Sequence, residues 1–128
     1  NKQPIWADNF LNVISQSKVA LNLSQGAPSK HYTSDRFAQL IGNGLLVMID
    51  KNTKFNDFFN NDEIVTYKNI NDLSKKIEKY VNNDTLRQRI AKKGRDKYFK
   101  YFNSTIIAEF IINKTYKINK RYFWENKN

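Results

Sequence analysis

The chain has 128 residues, enough for one domain with its own hydrophobic core, and it carries 22 basic against 12 acidic side chains. Its lack of cysteine excludes a disulfide scaffold, a cysteine-ligated metal site and a cysteine nucleophile. No apolar run approaches the ~20 residues that a membrane-spanning helix needs, and no signal-peptide pattern opens the chain. We therefore expect a cytoplasmic protein, able at most to lie against the inner face of the membrane.

The first half of the chain alternates helical and strand patterns. Asp8 can cap a first helix, and residues 18–23 form a short apolar run of the strand type. A loop rich in small residues comes next, and it leads to a second helix with Ser34 or Thr33 as its N-cap. Gly42-Asn-Gly44 favours a left-handed end for that helix.

The apolar run at residues 45–49 is typical of a strand that is buried on both faces. Such strands occur in parallel sheets that are covered by helices on either side. A third short strand is predicted at residues 63–67, after a helical turn at residues 55–59. We predict an α/β fold: a Rossmann-like half-domain with three or more parallel strands flanked by helices.

The second half reads as helical. Leu73, Ile77 and Tyr80 share one face of a helix that Asn71 can cap, and a second helix begins at Asn83 or Asp84. Ser104 can cap a last helix. For the apolar residues on these helices we expect packing in the core: Leu73, Ile77, Ile90, Phe110 and Ile111. We assign residues 1–115 to the Rossmann-like domain and residues 116–128 to a basic, aromatic C-terminal helix or tail.

The positive charge is concentrated toward the C-terminus. Residues 1–71 hold seven basic and six acidic side chains, whereas residues 72–100 hold ten and four, and residues 101–128 hold five and two. A basic half with interleaved aromatic residues suits nucleic acid or an anionic membrane surface. Only five of the 22 basic residues are arginine, whose planar guanidinium can donate two hydrogen bonds to one phosphate. The composition therefore disfavours specific nucleic-acid binding.

The loop from Ser24 to Arg36 is the candidate binding site. Open parallel sheets bind ligands where a strand ends and its loop feeds the N-terminus of a helix, because free backbone N–H groups converge there. Small residues allow the backbone to approach a ligand closely, and Lys30, His31 and Arg36 add groups suited to a diphosphate. A long loop with Gly and Pro is also a common plain connection, so the pattern alone does not decide.

Several segments, taken in order, resemble a known family. They are Lys18-Val-Ala-Leu-Asn-Leu-Ser24, Arg36-Phe-Ala-Gln39, Gly42-Asn-Gly44, Leu45-Leu-Val-Met-Ile-Asp50, Phe58-Phe-Asn-Asn-Asp-Glu63-Ile-Val-Thr-Tyr, Asp72-Leu and Arg89-Ile-Ala-Lys-Lys-Gly94. Their order and spacing resemble the C-terminal half of nucleotide-sugar glycosyltransferases of the GT-B fold, nearest to group-1-like transferases of the CgeB-like kind. The likeness runs from about Asp8 to about Phe110.

The resemblance implies a donor-binding domain in which a helix with an Arg-x-x-Glu-x-x-Ala-x-Gly pattern packs under the nucleotide. Arg36 matches the Arg and Gly44 the Gly, whereas Gln39 stands where the family has the Glu that accepts both ribose hydroxyls. His31 stands where related transferases place a Glu near the donor sugar. Both departures matter, because a neutral acceptor forms a hydrogen bond only about half as strong as a carboxylate does.

We therefore expect a glycosyltransferase that moves a sugar from a nucleoside diphosphate sugar to an acceptor, with no cofactor and no metal. The resemblance implies that an N-terminal acceptor-binding domain, with the catalytic base, lies outside these 128 residues, and that this piece alone is inactive. The expected donor-binding residues are Ser24, Lys30, His31, Ser34, Arg36, Gln39 and Gly44.

Two alternatives remain open at this point. One is a basic module that binds RNA or anionic lipid through the charged face between Lys75 and Lys100. The other is a degenerate transferase domain that serves as a scaffold, an interpretation that the departures at Gln39 and His31 make reasonable.

Overall fold

A three-stranded parallel sheet in the order β1–β2–β3 forms the centre of the protein. The computed structural model describes residues 5, 7–24 and 26–126. The strands are β1 (Val19–Asn22), β2 (Leu46–Asp50) and β3 (Val65–Tyr67). In register, Asn22 lies opposite Ile49, and Asp50 opposite Tyr67. The predicted α/β class with parallel strands is confirmed.

Helices cover the sheet and continue into the C-terminal segment. They are α1 (Ala7–Ser15), α2 (Asp35–Gly42), α3 (Ile70–Val81), α4 (Asp84–Tyr101) and α5 (Ser104–Thr115). Short 3-10 turns are formed by Lys51–Thr53, Phe55–Asp57 and Phe123–Asn126. The helical C-terminal segment expected from the sequence is therefore present.

The central strand β2 divides the core into two clusters. Alternate side chains of a strand point to opposite faces, so Val47 and Ile49 pack with α1, α2 and the phenylalanines of residues 55–59. Leu46 and Met48 face the other way, toward α3 and the first half of α4. All four side chains are almost completely buried, as expected for a strand covered on both faces.

Helix α4 closes the amino edge of the sheet, where β2 and β3 begin. Its Gly94 lies against the backbone of Glu63, just before β3, so closely that an added Cβ would sit 2.1 Å from the Glu63 carbonyl oxygen. Arg95 Nε donates a hydrogen bond to the carbonyl oxygen of Gly42 at the end of α2. Lys97 forms a half-buried ion pair with Glu63, at 2.6 Å.

Asparagine side chains cap three helices, and two of these caps differ from the prediction. Asn69, not Asn71, accepts a hydrogen bond from a backbone N–H in the first turn of α3, and Asn103, not Ser104, does the same for α5. In each case the chain is still extended at the earlier residue, so that its side chain accepts from the free N–H group three residues further along. Asn83 caps α4, and the helix begins at Asp84, one of the two predicted starts. Asp8 is not a cap, because α1 already begins at Ala7.

The prediction of core packing is correct for part of the helical half. Leu73 and Ile90 are buried, and Phe110 is half-buried. Ile77 and Ile111 were expected in the core but are exposed, because α3 and α5 are each covered along one narrow strip only.

The segment after α5 folds back onto that helix. Asn113 Nδ2 donates a 2.6 Å hydrogen bond to the buried hydroxyl of Tyr122. The Trp124 ring stacks on Tyr122 and Phe102, with centroids 5.3 and 5.5 Å apart. The rings of Tyr122, Phe123 and Trp124 thus pack against α4 and α5. In the described part of this segment, residues 116–126, the regular structure is a short 3-10 turn.

Candidate functional site

The carboxyl edge of the sheet gathers the polar ends of all three strands. Asn22, Asp50 and Tyr67 are the last residues of β1, β2 and β3. Asp50 lies directly opposite Tyr67, whereas Asn22 lies opposite Ile49, one residue before Asp50. Burial and the nearby negative charge of Asp50 raise the pKa of the Tyr67 hydroxyl above its usual value. The loop of residues 23–34 leaves β1 here, and the loop of residues 51–64 leaves β2.

Asn22 organises the loop that follows β1. Its side chain is 2% exposed, yet its amide donates to Thr33 Oγ1 at 2.6 Å and its carbonyl accepts from Ser34 Oγ at 3.1 Å. A buried amide with both groups satisfied holds its partners in one geometry. The two ends of the long loop are therefore pinned together at the start of α2.

Arg36 lies in the first turn of α2 and reaches back over this loop. Its Nε donates to Ser34 Oγ at 3.3 Å, and its Nη2 donates to the carbonyl oxygen of Leu23 at 3.3 Å. The side chain is exposed, so the guanidinium stays in contact with solvent at the mouth of the site. Asp35 accepts a 3.0 Å hydrogen bond from the Arg36 backbone N–H.

Ser34 occupies the N-cap position of α2, but its hydroxyl does not bond to the helix. The hydroxyl instead donates to Asn22 and accepts from Arg36. Because the positive end of the helix dipole has no hydroxyl cap, part of its N–H potential remains available to an anionic group. The carboxylate of Asp35 offsets some of that potential.

His31 joins the loop after β1 to the loop after β2. It adopts a left-handed backbone conformation, with φ of 59°, and its N–H donates to the carbonyl oxygen of Thr53 at 2.7 Å. Its Nε2 lies 2.9 Å from Asp57 Oδ2, and its ring packs on Phe58 with centroids 4.6 Å apart. The hydrogen bond with His31, together with nearby positive charge, lowers the pKa of the Asp57 carboxyl.

The structure brings five of the seven predicted site residues into one region. Ser24 and Lys30 lie in the loop after β1, and His31, Ser34 and Arg36 complete the set near the start of α2. Lys30 is exposed and Ser24 half-buried.

The other two predicted residues lie further along α2. Gln39 is exposed about one turn beyond Arg36. Gly44 follows the end of α2 at the amino edge of the sheet, with φ of 80°, where an added Cβ would contact the Arg95 side chain at 3.6 Å. An eight-residue helix is ~12 Å long. Gly44 is therefore separated from the other six residues, and its observed role is to end the helix.

Three residues of the site were not identified from the sequence. Asn22 is the residue that orders the loop, and its position as the polar end of an apolar run was the available signal. Asp57 and Thr53 hold His31 from the neighbouring loop. No local pattern pairs residues that are more than 20 positions apart, so only the fold reveals these two contacts.

Next to these polar residues lies a groove of about 550 Å³. Its lining includes the polar residues His31, Ser34 and Asp35 and the rings of Phe58, Phe102 and Trp124, among other side chains. The groove thus combines polar and aromatic side chains.

Two further observations concern the residues that the structure describes. Within them, no group of three or more His, Asp or Glu side chains is placed to hold a metal ion. None of the helices in these ranges is both long and apolar enough to cross a membrane.

The model of the glycosyl transferase-like family matches residues 1–113. The chain belongs to this family. The matched range includes all three strands and the loop between β1 and α2, together with α3, α4 and most of α5. Neither the curated proteins nor the solved structures contain a match. Family membership indicates a role in glycosyl transfer. The parallel sheet flanked by helices is a Rossmann-like fold.

Proposed function

We propose that this chain forms the donor-binding part of a glycosyltransferase of the GT-B type, nearest to the CgeB-like transferases, and that the donor is a nucleoside diphosphate sugar. The observation that carries the proposal is the arrangement at the carboxyl edge. There, a buried asparagine, an uncapped helix start and an exposed arginine meet beside one loop.

The chemistry of a leaving diphosphate explains why these groups suit the role. Negative charge builds up on the diphosphate as the glycosidic bond breaks, and donors already in place stabilise it without reorganising. Arg36 supplies an always-charged planar donor, and the start of α2 supplies backbone N–H groups. Lys30 adds an exposed ammonium group on the same loop. No metal ion is required in this scheme.

The ribose and the sugar would meet weaker partners than the family pattern provides. Gln39 can accept one hydroxyl through its neutral carbonyl oxygen. His31 is held by Asp57 through Nε2, so its other ring nitrogen is the group left for a sugar hydroxyl. The acceptor and the catalytic base would come from a separate N-terminal domain.

The direct test is a titration of the isotopically labelled chain with UDP and GDP, followed by backbone amide NMR signals. We expect shifts confined to residues 24–44 and to the neighbouring residues 51–53. Arg36→Ala should weaken binding about tenfold, because a hydrogen bond from a charged group to phosphate is lost. The matched control is Arg89→Ala, which removes an exposed arginine from α4 and should bind like the parent. The absence of shifts at millimolar nucleotide would contradict the proposal.

A scaffold role is the second candidate, and one observation favours it. Two N–H groups of the Arg36 side chain already donate hydrogen bonds within the protein. The Asp35 carboxylate lies at the start of α2, where a phosphate would approach the helix. In the complete protein, Gln39→Glu should strengthen donor binding and Arg36→Ala should reduce transfer if the domain is catalytic. A scaffold would show no transfer for either variant or for the parent.

A further inference from the structure

Helix α5 carries an exposed apolar face that the fold leaves uncovered. We call it the α5 stripe, and it consists of Ile107, Ala108, Ile111 and Ile112 on the helix, continued just beyond its end by Tyr116 and Ile118. Ile111 is 58% exposed, Ile112 53% and Tyr116 74%. Single exposed apolar side chains are ordinary, whereas a contiguous set on one helix face marks a surface for interaction.

Charged residues border the α5 stripe but do not interrupt it. At 100° per residue, Glu109 and Lys114 fall on opposite borders of the stripe. Beyond the helix, Lys117, Lys120 and Arg121 follow within seven residues, and all are exposed. Lys114 and Lys120 pair with Glu125 and Glu109, and residues 101–128 still hold five basic against two acidic side chains.

We propose that the α5 stripe binds the surface of an anionic lipid bilayer. An apolar helix face with a basic border lies in the plane of the headgroups, where its isoleucines enter the acyl boundary and its lysines meet lipid phosphate. Tyr116 suits the same depth, because its ring is apolar and its hydroxyl is polar. This surface differs from the face between Lys75 and Lys100, whose cations lack a comparable apolar stripe.

The positive charge beside the α5 stripe favours an anionic bilayer over a second copy of the chain. Two copies of the chain docked stripe to stripe would bring together two molecules that each carry a net charge of +10, which opposes association. An anionic bilayer instead neutralises the basic side chains beside the stripe. RNA is disfavoured because its bases stack on flat rings, whereas the stripe is made chiefly of isoleucine.

The test is co-sedimentation of the chain with vesicles of phosphatidylcholine mixed with phosphatidylglycerol, and with vesicles of phosphatidylcholine alone. We expect binding to the mixed vesicles that weakens as salt is added, and much weaker binding to the neutral ones. The double variant Ile111→Ser/Ile112→Ser should lose about tenfold or more in partitioning, because apolar area no longer leaves water. Both side chains are exposed, and circular dichroism checks that the variant is folded.

The matched control is Ile70→Ser, which changes an isoleucine that is 73% exposed at the start of α3. It should partition like the parent. Equal losses in the two variants, or equal binding to both kinds of vesicle, would overturn the proposal. So would a dimer in light scattering that the double variant dissociates. Slower hydrogen exchange of α5 in a longer protein than in this chain, both without lipid, would also overturn it, because it would show that another segment covers the stripe.

Discussion

The two edges of the sheet are built in opposite ways. At the amino edge, α4 lies directly on the backbone before β3 and on the end of α2, and the half-buried pair of Lys97 and Glu63 seals the contact. At the carboxyl edge, two long loops meet through side-chain hydrogen bonds around Asn22 and His31. The first edge is closed by close packing of the backbone, whereas the second is held by polar contacts that a ligand can join.

This difference explains where a site can form in a sheet of only three strands. Where the backbone of Gly94 packs on that of Glu63, no room is left for another molecule between them. Hydroxyl, amide and guanidinium groups at the carboxyl edge keep acceptor or donor capacity after their internal bonds are made. Substitutions at the amino edge should therefore lower the stability of the whole domain. Substitutions at the carboxyl edge should mainly loosen the loop after β1.

The largest effect is expected for Gly94→Ala at the closed edge. The new methyl group would lie 2.1 Å from the Glu63 carbonyl oxygen, a distance that only movement of the backbone can relieve. We expect a loss of about 3 kcal/mol in the free energy of unfolding, measured by denaturant titration.

The control for that change is Gly42→Ala, where the nearest atom to the new methyl group is a Phe99 ring carbon at an ordinary 3.9 Å. This variant should match the parent or exceed its stability slightly, because alanine favours helix. If the two alanine variants were equally stable, the amino edge would not be closed as described.

A smaller effect is expected for Asn22→Ala at the open edge. The change leaves the half-buried hydroxyls of Thr33 and Ser34 without the Asn22 amide, at a cost of about 1–2 kcal/mol in the free energy of unfolding. Faster amide exchange should be confined to residues 23–34, because the loop loses its anchor while the sheet keeps its core. Asn12→Ala, at an exposed position of α1, is the control and should change neither quantity. Exchange that rose throughout the sheet would show that the two edges are not independent.

The smallest effect concerns acid stability. The pKa of Asp57 is held below its usual 3.8 by His31, so the folded protein favours the ionised carboxyl more than the unfolded chain does. The ionised carboxyl therefore adds to the free energy of unfolding at pH values above the usual pKa. This stabilisation is lost as the pH falls through the lowered pKa of Asp57. Asp57→Asn should therefore flatten the pH dependence of unfolding below about pH 4. Glu78→Gln is the control, since Glu78 is exposed on α3, and an identical profile for both variants would contradict the role of the pair.

The candidate site could be predicted only in part, and the reason differs between its residues. Arg36 and Ser34 lie within a few positions of the loop they serve, so the resemblance and the capping pattern identify them from nearby residues. Asp57 contacts His31 across 26 positions, and nothing in its neighbours indicates the pairing. Gly44 fits the family pattern, yet the length of α2 places it at the far edge of the sheet.

The amino-acid sequence by itself determined the α/β class, the buried central strand and the end of α2, because each follows from local rules of side-chain alternation and glycine conformation. Only the tertiary structure decided which edge of the sheet stays open, which loop holds His31, and that α5 shows an apolar stripe to solvent. These features depend on how helices pack over the sheet, and packing joins residues that are distant along the chain.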